Sequence, residues 1–355
     1  MSTTATSIPA NVEATAPASS VPRPLLARLK LWIRLWIFKV TVRSLLGTLR
    51  FFRYQKMGTL QPTYKKTYPV GARLTNDVWI PSSWKAGQTL PLYIDIHGGG
   101  FAIGDPFHDD GWCHYLAEKQ NICVVSCDYR KAPGYYFPTQ TNDLVEIVTA
   151  ILNDSTLPVD KSKICMGGFS AGGNLSLSVA QSRSLQGKIA GLLLWYPSTD
   201  FSGKYKGEMR NAPDGSPDVL EKSGELFSYG YLPNKVDLRD PLLSPIYADR
   251  KLLPKKLRFV GAEYDFLCNE ALEAAKLFAE AEGAKDKKQG DAQEDQKQGV
   301  KSWKQGNIWW EEVLGAQHGF NYIKKKEPKA EEERERITEL AYERAAAWLK
   351  SEIYT

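Results

Sequence analysis

Residues 163–174 read KICMGGFSAGGN, and this stretch decides the fold. Its first half is a short apolar run of the kind that forms a fully buried strand. The residues that follow Ser170, in SAGGNLSLSVAQSRSL, space their apolar side chains as a helix does. A strand that turns straight into a helix at a serine flanked by glycines fits the G-x-S-x-G elbow, here Gly168-Phe169-Ser170-Ala171-Gly172. Glycines are needed because the turn is tight and a Cβ at either flank would strike the neighbouring strand or helix. Ser170 is then expected in a strained conformation with its hydroxyl raised above the sheet. At the helix N-terminus, backbone N–H groups face any negative charge that develops there.

Outward from the elbow, short apolar runs alternate with helical ones. The strand candidates are KKTYPVGARLTNDVWIP (65–81), PLYIDIHGGG (91–100), NICVVSCDYR (121–130), AGLLLWYP (190–197), LRFVGA (257–262) and NIWWEEVLGA (307–316). Between them FPTQTNDLVEIVTAILND (137–154) and NEALEAAKLFAEAEG (269–283) carry helical spacing, and a last helix puts Ile337, Leu340, Ala341, Ala345, Trp348 and Leu349 on one face. Strands apolar on both faces, alternating with helices, imply an α/β fold: a mostly parallel central sheet with helices on both faces. Two stretches break the rhythm. Residues 198–250 are polar and punctuated by Pro and Gly, and are expected to form a cap over the site. Residues 283–306, rich in Lys, Gln, Asp and Gly, are expected to be a solvated loop without chemistry.

A second motif, His97-Gly98-Gly99-Gly100-Phe101, follows the apolar run LYIDI. Glycines there let backbone N–H groups point into a site unobstructed. The amides of Gly98, Gly99 and Ala171 are therefore candidates to hold an oxyanion. No Lys-Ser/Thr follows and no G-x-G-x-x-G occurs, which argues against a nucleotide phosphate loop.

With HGGGF, DYRKAP and FP (Asp128 to Pro138), GFSAGGN, LWYPSTD, DPLLSP and QHGF together, the chain resembles the hormone-sensitive-lipase group of α/β-hydrolases from about residue 65 to 350. Phe169 departs from the acidic residue often found before the nucleophile in that group. The resemblance implies a serine hydrolase acting on carboxylic esters, with no metal and no organic cofactor.

On such a fold the partners of the nucleophile come in the order Ser, acid, His. Of the four histidines, His97, His108 and His114 precede Ser170, which leaves His318 as the base. His97 reads as a structural residue of the oxyanion turn. His108 and His114 lie near Asp109 and Asp110 without a recognised metal-ligand spacing. Asp265, just past LRFVGA, is the leading acid, with Asp200 after LLLWYP second and Glu263 third. Amide, lactone or thioester cleavage are alternatives in the same class. A ligand receptor on a catalytically dead scaffold is the alternative from another class, disfavoured because both Ser170 and His318 are present.

The chain has 355 residues with a net charge of +5, too mild a bias to imply nucleic acid. Five cysteines, Cys113, Cys123, Cys127, Cys165 and Cys268, lack paired spacing; most sit in apolar runs, which argues for reduced thiols, a reducing, cytoplasmic compartment, and no disulfide framework. Residues 1–22 are expected to be a disordered tail rather than a secretory signal. Residues 23–56 are expected to form an amphipathic basic helix, ahead of a hydrolase domain over 57–355. Within 25–53, Arg34, Lys39 and Arg43 fall mid-segment, and each cation there opposes membrane insertion by about 2.5–3.5 kcal/mol. Two expectations remain for that helix: packing over the catalytic domain, or peripheral contact with a membrane surface. A small-molecule ester is the expected partner.

Overall fold

The computed structural model describes residues 24–56, 60–283, 293–295 and 299–355. The expected tail at 1–22 lies outside the described residues. Along the chain, α1 (Leu25–Lys56) precedes β1 (Tyr64–Thr67), β2 (Thr75–Trp79), β3 (Leu90–Ile96), the short α2 (Asp110–His114), β4 (Cys123–Cys127) and α3 (Thr139–Asn153). Then come β5 (Val159–Phe169), α4 (Ala171–Ala180), β6 (Gly191–Trp195), α5 (Leu220–Tyr231), β7 (Lys256–Ala262) and α6 (Cys268–Ala281). The chain closes with β8 (Gln293–Asp295), β9 (Val300–Gln305), β10 (Ile308–Val313) and α7 (Pro328–Trp348).

Among the described residues ten strands form one sheet in the order β1-β2-β4-β3-β5-β6-β7-β10-β9-β8. The six from β4 to β10 run parallel, and antiparallel strands extend both edges. Side chains alternate across the strands, so each strand feeds two cores. Leu92, Ile94 and Ile96 of β3, with Leu192 and Leu194 of β6, pack against Leu144 and Ile147 of α3, Leu175 of α4 and Phe278 of α6. Tyr93, Leu193 and Trp195 face the other way, against Trp112 of α2 and Ala341, Ala345 and Trp348 of α7. Each such side chain contributes about 1.5–3 kcal/mol on burial. Because the central strands are parallel, the loops after β3, β5, β7 and β10 all emerge at one edge of the sheet. In open α/β sheets that edge is where ligands bind.

Two sequence expectations need correction. Residues 65–81 are not one strand but the hairpin β1–β2, paired Tyr64 to Val78 and Thr67 to Thr75, because Pro69 and Gly71 interrupt the run. The stretch 283–306 is not all loop. β9 pairs antiparallel with β10 in the register Trp303 to Trp310, Val300 is buried, and Trp303 packs on the core. Composition misleads there because the strand is held by backbone pairing and two apolar side chains. All five cysteines are buried free thiols.

Within 198–250, α5 stands above the sheet edge, and α1 packs along it. Leu31 and Leu35 of α1 are buried, the Tyr229 hydroxyl donates to the Arg28 carbonyl at 2.9 Å, and Lys39 donates to the Ala132 carbonyl. No helix among the described residues is long and apolar enough to cross a membrane.

Candidate active site

Ser170 joins β5 to α4 with φ 54° and ψ −115°, a positive-φ conformation that costs a non-glycine residue about 1–3 kcal/mol. The surrounding structure holds it there. Its N–H donates to the Trp195 carbonyl at 2.8 Å, and Phe169 before it is buried and stacked on Trp195 at 5.3 Å. The turn is so close to β3 that a Cβ on Gly172 would lie 1.8 Å from the Ile96 carbonyl oxygen.

His318 and Asp265 reach Ser170 from the loops after β10 and β7. His318 Nε2 lies 2.9 Å from Ser170 Oγ, and His318 Nδ1 lies 2.8 Å from Asp265 Oδ2. The second carboxylate oxygen, Asp265 Oδ1, accepts from the Leu267 N–H at 2.8 Å, which fixes the carboxylate plane. The two loops are tied by the Tyr264 N–H donating to the Ala316 carbonyl at 2.8 Å. All three side chains are buried. Burial disfavours the imidazolium, but the Asp265 charge, its hydrogen bond and the Asp218 charge together outweigh burial and hold His318 above the ordinary histidine range.

The other acid candidates are engaged elsewhere. Asp200 accepts from the Ser202 and Tyr205 N–H groups, at 2.8 and 2.9 Å, and so folds the turn at 200–205. Glu263 accepts from the Gly315 N–H at 2.8 Å. The geometry brings Asp265 to the imidazole, and neither of these.

Gly98 and Gly99 lie in the loop after β3, beside the elbow: a Cβ on Gly98 would sit 3.5 Å from the Ser170 Cβ. Gly99 has φ +109°, where a Cβ would meet the Ile103 carbonyl oxygen at 2.3 Å. Ala171 opens α4, where helix geometry leaves N–H groups without a helical partner. His97 braces this loop. Its ring stacks on Tyr129 at 4.5 Å, its Nδ1 lies 2.6 Å from the Gly98 carbonyl oxygen, and its Nε2 lies 3.3 Å from Asp128. Burial opposes charge on Asp128, yet the His97 and Lys131 contacts prevail and hold its carboxyl well below the usual range. His108 accepts from the Asp105 N–H at 3.3 Å, and burial followed by the neighbouring His97 lowers it to about 4. His114 packs edge-on against Trp79.

A cavity of about 460 Å³ opens at Ser170. Phe101, Asp200, Phe227 and Glu270 are among its lining residues. Three residues of this site have no signal in the sequence. Asp218, just before α5, is buried and accepts from the Phe266 N–H at 2.7 Å, next to Asp265. Glu270 accepts from the Thr199 N–H at 2.7 Å, and burial pushes it up to about 8. Phe227 lies over Gly100. The two acids sit in ordinary polar contexts and the phenylalanine in an amphipathic helix, so only the fold reveals them.

The model of the alpha/beta hydrolase fold family matches residues 93–290, more than half of the chain. The chain is 31% identical over 220 residues to esterase LipI of Mycobacterium tuberculosis, covering 60% of this chain and 66% of that protein. It is 34% identical over 205 residues to carboxylesterase NlhH of the same species, covering 55% and 62%. It thus spans slightly less than two thirds of the length of these curated relatives. A shorter match, 37% over 114 residues, is to neutral cholesterol ester hydrolase 1 of Pongo abelii, covering 29% of this chain and 28% of that one. Among solved structures, an esterase from Pyrobaculum calidifontis superposes with a TM-score of 0.68 at 24% identity, covering 93% of this chain and 99% of the other, a likeness of fold. The elbow, the glycine loop and these matches agree: the chain belongs to the α/β-hydrolase family, in its hormone-sensitive-lipase-like branch.

Proposed function

We propose that the protein is a serine carboxylesterase in which Ser170 is the nucleophile, His318 the general base and Asp265 the triad acid. The hydrogen-bonded run from Ser170 Oγ through His318 to Asp265 carries this reading. Asp265 keeps the proton on His318 Nδ1, so Nε2 presents its lone pair to the serine hydroxyl. Ser170 attacks the ester carbonyl while Nε2 takes its proton. The N–H groups of Gly98, Gly99 and Ala171 stabilise the oxyanion. His318 then returns the proton to the departing alcohol. Water, activated by the same imidazole, attacks the acyl-enzyme, and the carboxylic acid leaves. The cavity volume suits a small or medium ester. The names of the curated relatives support ester cleavage.

The test is a series of p-nitrophenyl esters of graded acyl length, assayed with the wild-type protein and with Ser170→Ala. The reading expects hydrolysis that disappears in the variant. Wild-type rates no higher than those of the variant would overturn it.

A further inference from the structure

α1 has two apolar faces, and the fold uses one. Leu31, Leu35 and Phe38 point toward α5, where a Cβ on Gly230 would lie 2.5 Å from Leu35. On the opposite side Leu26, Leu29, Ile33, Trp36, Ile37 and Val40 recur at helical spacing and are all exposed, Ile37 by 61% and Val40 by 60%. Water gains nothing from such a stripe, and single exposed apolar residues would not line up on one face.

Charge says what covers it. Lys30 and Arg34 border the stripe on one side and Arg28 and Arg43 on the other, while Lys39 turns inward to the Ala132 carbonyl. The segment 25–56 carries eight Lys and Arg and no Asp or Glu; set against +5 for the whole chain, that leaves everything outside it at −3. A second copy of the chain would set eight cations against eight. An anionic lipid surface matches both features: apolar side chains enter the acyl boundary, and the flanking cations reach headgroup phosphates and carboxylates along their aliphatic stems.

We infer that the outward face of α1 docks the protein on an anionic bilayer, with the active-site cavity backed onto the docked helix. Phe38 of α1 meets Phe227 of α5 edge-to-face at 5.8 Å, and Phe227 lines the cavity. One ring therefore separates the docked helix from the reaction space. Resting on the hydrolase reading, this placement names the substrate class: esters apolar enough to dissolve in the bilayer.

The experiment uses full-length Ser170→Ala protein, so that docking is read without turnover. Flotation is measured with phosphatidylcholine vesicles, with and without phosphatidylserine. The protein is expected to float with the phosphatidylserine vesicles, to be released by high salt, and to bind about tenfold or more weakly as Ile33→Glu/Ile37→Glu. Equal flotation with both vesicles, or binding unchanged in the double variant, would overturn the proposal. So would a dimer in solution that the double variant dissolves, since the stripe would then belong to a second copy. Hydrolysis of a soluble ester by Ile33→Glu/Ile37→Glu, with Ser170 intact, is expected at the wild-type rate. Failure of flotation beside hydrolysis by the wild-type protein removes docking alone, and failure of wild-type hydrolysis beside intact flotation removes the esterase reading alone.

Discussion

Asp218 places a second carboxylate near the imidazole, and it arrives from the segment before α5 rather than from a strand end. Burial and then the charge on Asp265 raise its own affinity for protons. When ionised, it adds to the pull of Asp265 on the imidazolium. His318 must be neutral to accept the Ser170 proton, so activity is present above its pKa and lost below it. Because that pKa is raised, the acid limb of kcat/KM is expected above the unperturbed value of about 6.5. In Asp218→Asn one negative charge is gone, the imidazolium is less favoured, and the limb is expected to move to lower pH while the plateau survives. A profile of kcat/KM from pH 5 to 9 on both proteins checks this; a limb that stays in place would show that Asp218 does not act on His318. The identity of the acid is tested separately. Asp265→Asn keeps the shape but favours the wrong imidazole tautomer, and kcat is expected to fall by about 10⁴, as in protease triads. Asp200→Asn loosens the turn at 200–205 and leaves the imidazole its carboxylate, and is expected to stay within about tenfold, or roughly 1.4 kcal/mol of barrier. Steady-state rates of both variants on one ester decide between the two carboxylates.

At the scale of elements, the elbow depends on how closely α4 meets the end of β3. Gly172→Ala forces the Ile96 carbonyl and the helix apart, and is expected to destabilise the fold by about 3 kcal/mol or more, read as a lower urea midpoint. A midpoint within error of wild type would mean that the turn relaxes freely. The elements legible in the sequence were those whose chemistry and periodicity coincide. The strand into Ser170, the HGGGF loop and the helices with a single apolar stripe are of this kind. Others failed for physical reasons. The run 65–81 has continuous β propensity, and only Pro69 and Gly71 mark its hairpin. β9 is hidden among Lys and Gln because its partner, β10, supplies the hydrogen bonds. The sequence of 25–53 does not rank packing on the domain against contact with a membrane, because α1 carries two apolar faces and the domain covers one.

At the scale of the molecule, chain order on a parallel sheet is what makes a triad readable. Loops after β5, β7 and β10 must emerge at the same edge, so a serine, an acid and a histidine in that order can converge across 148 residues. Order alone left Asp265, Asp200 and Glu263 open, because the loops after β6 and β7 leave from neighbouring strands. The side-chain distances separate them. The segment 198–250 shows in the sequence only as an interruption of the strand–helix rhythm; Asp218 and Phe227 come near the site because of where the chain returns, and no local pattern encodes that. The proposed mechanism stands on Ser170 being the activated nucleophile. Intact-mass analysis after treatment with a fluorophosphonate probe tests it most directly. A single adduct is expected on the wild-type protein, mapped to Ser170 and absent from Ser170→Ala; an adduct that persists unchanged in the variant, or no adduct on the folded wild-type protein, would contradict that role.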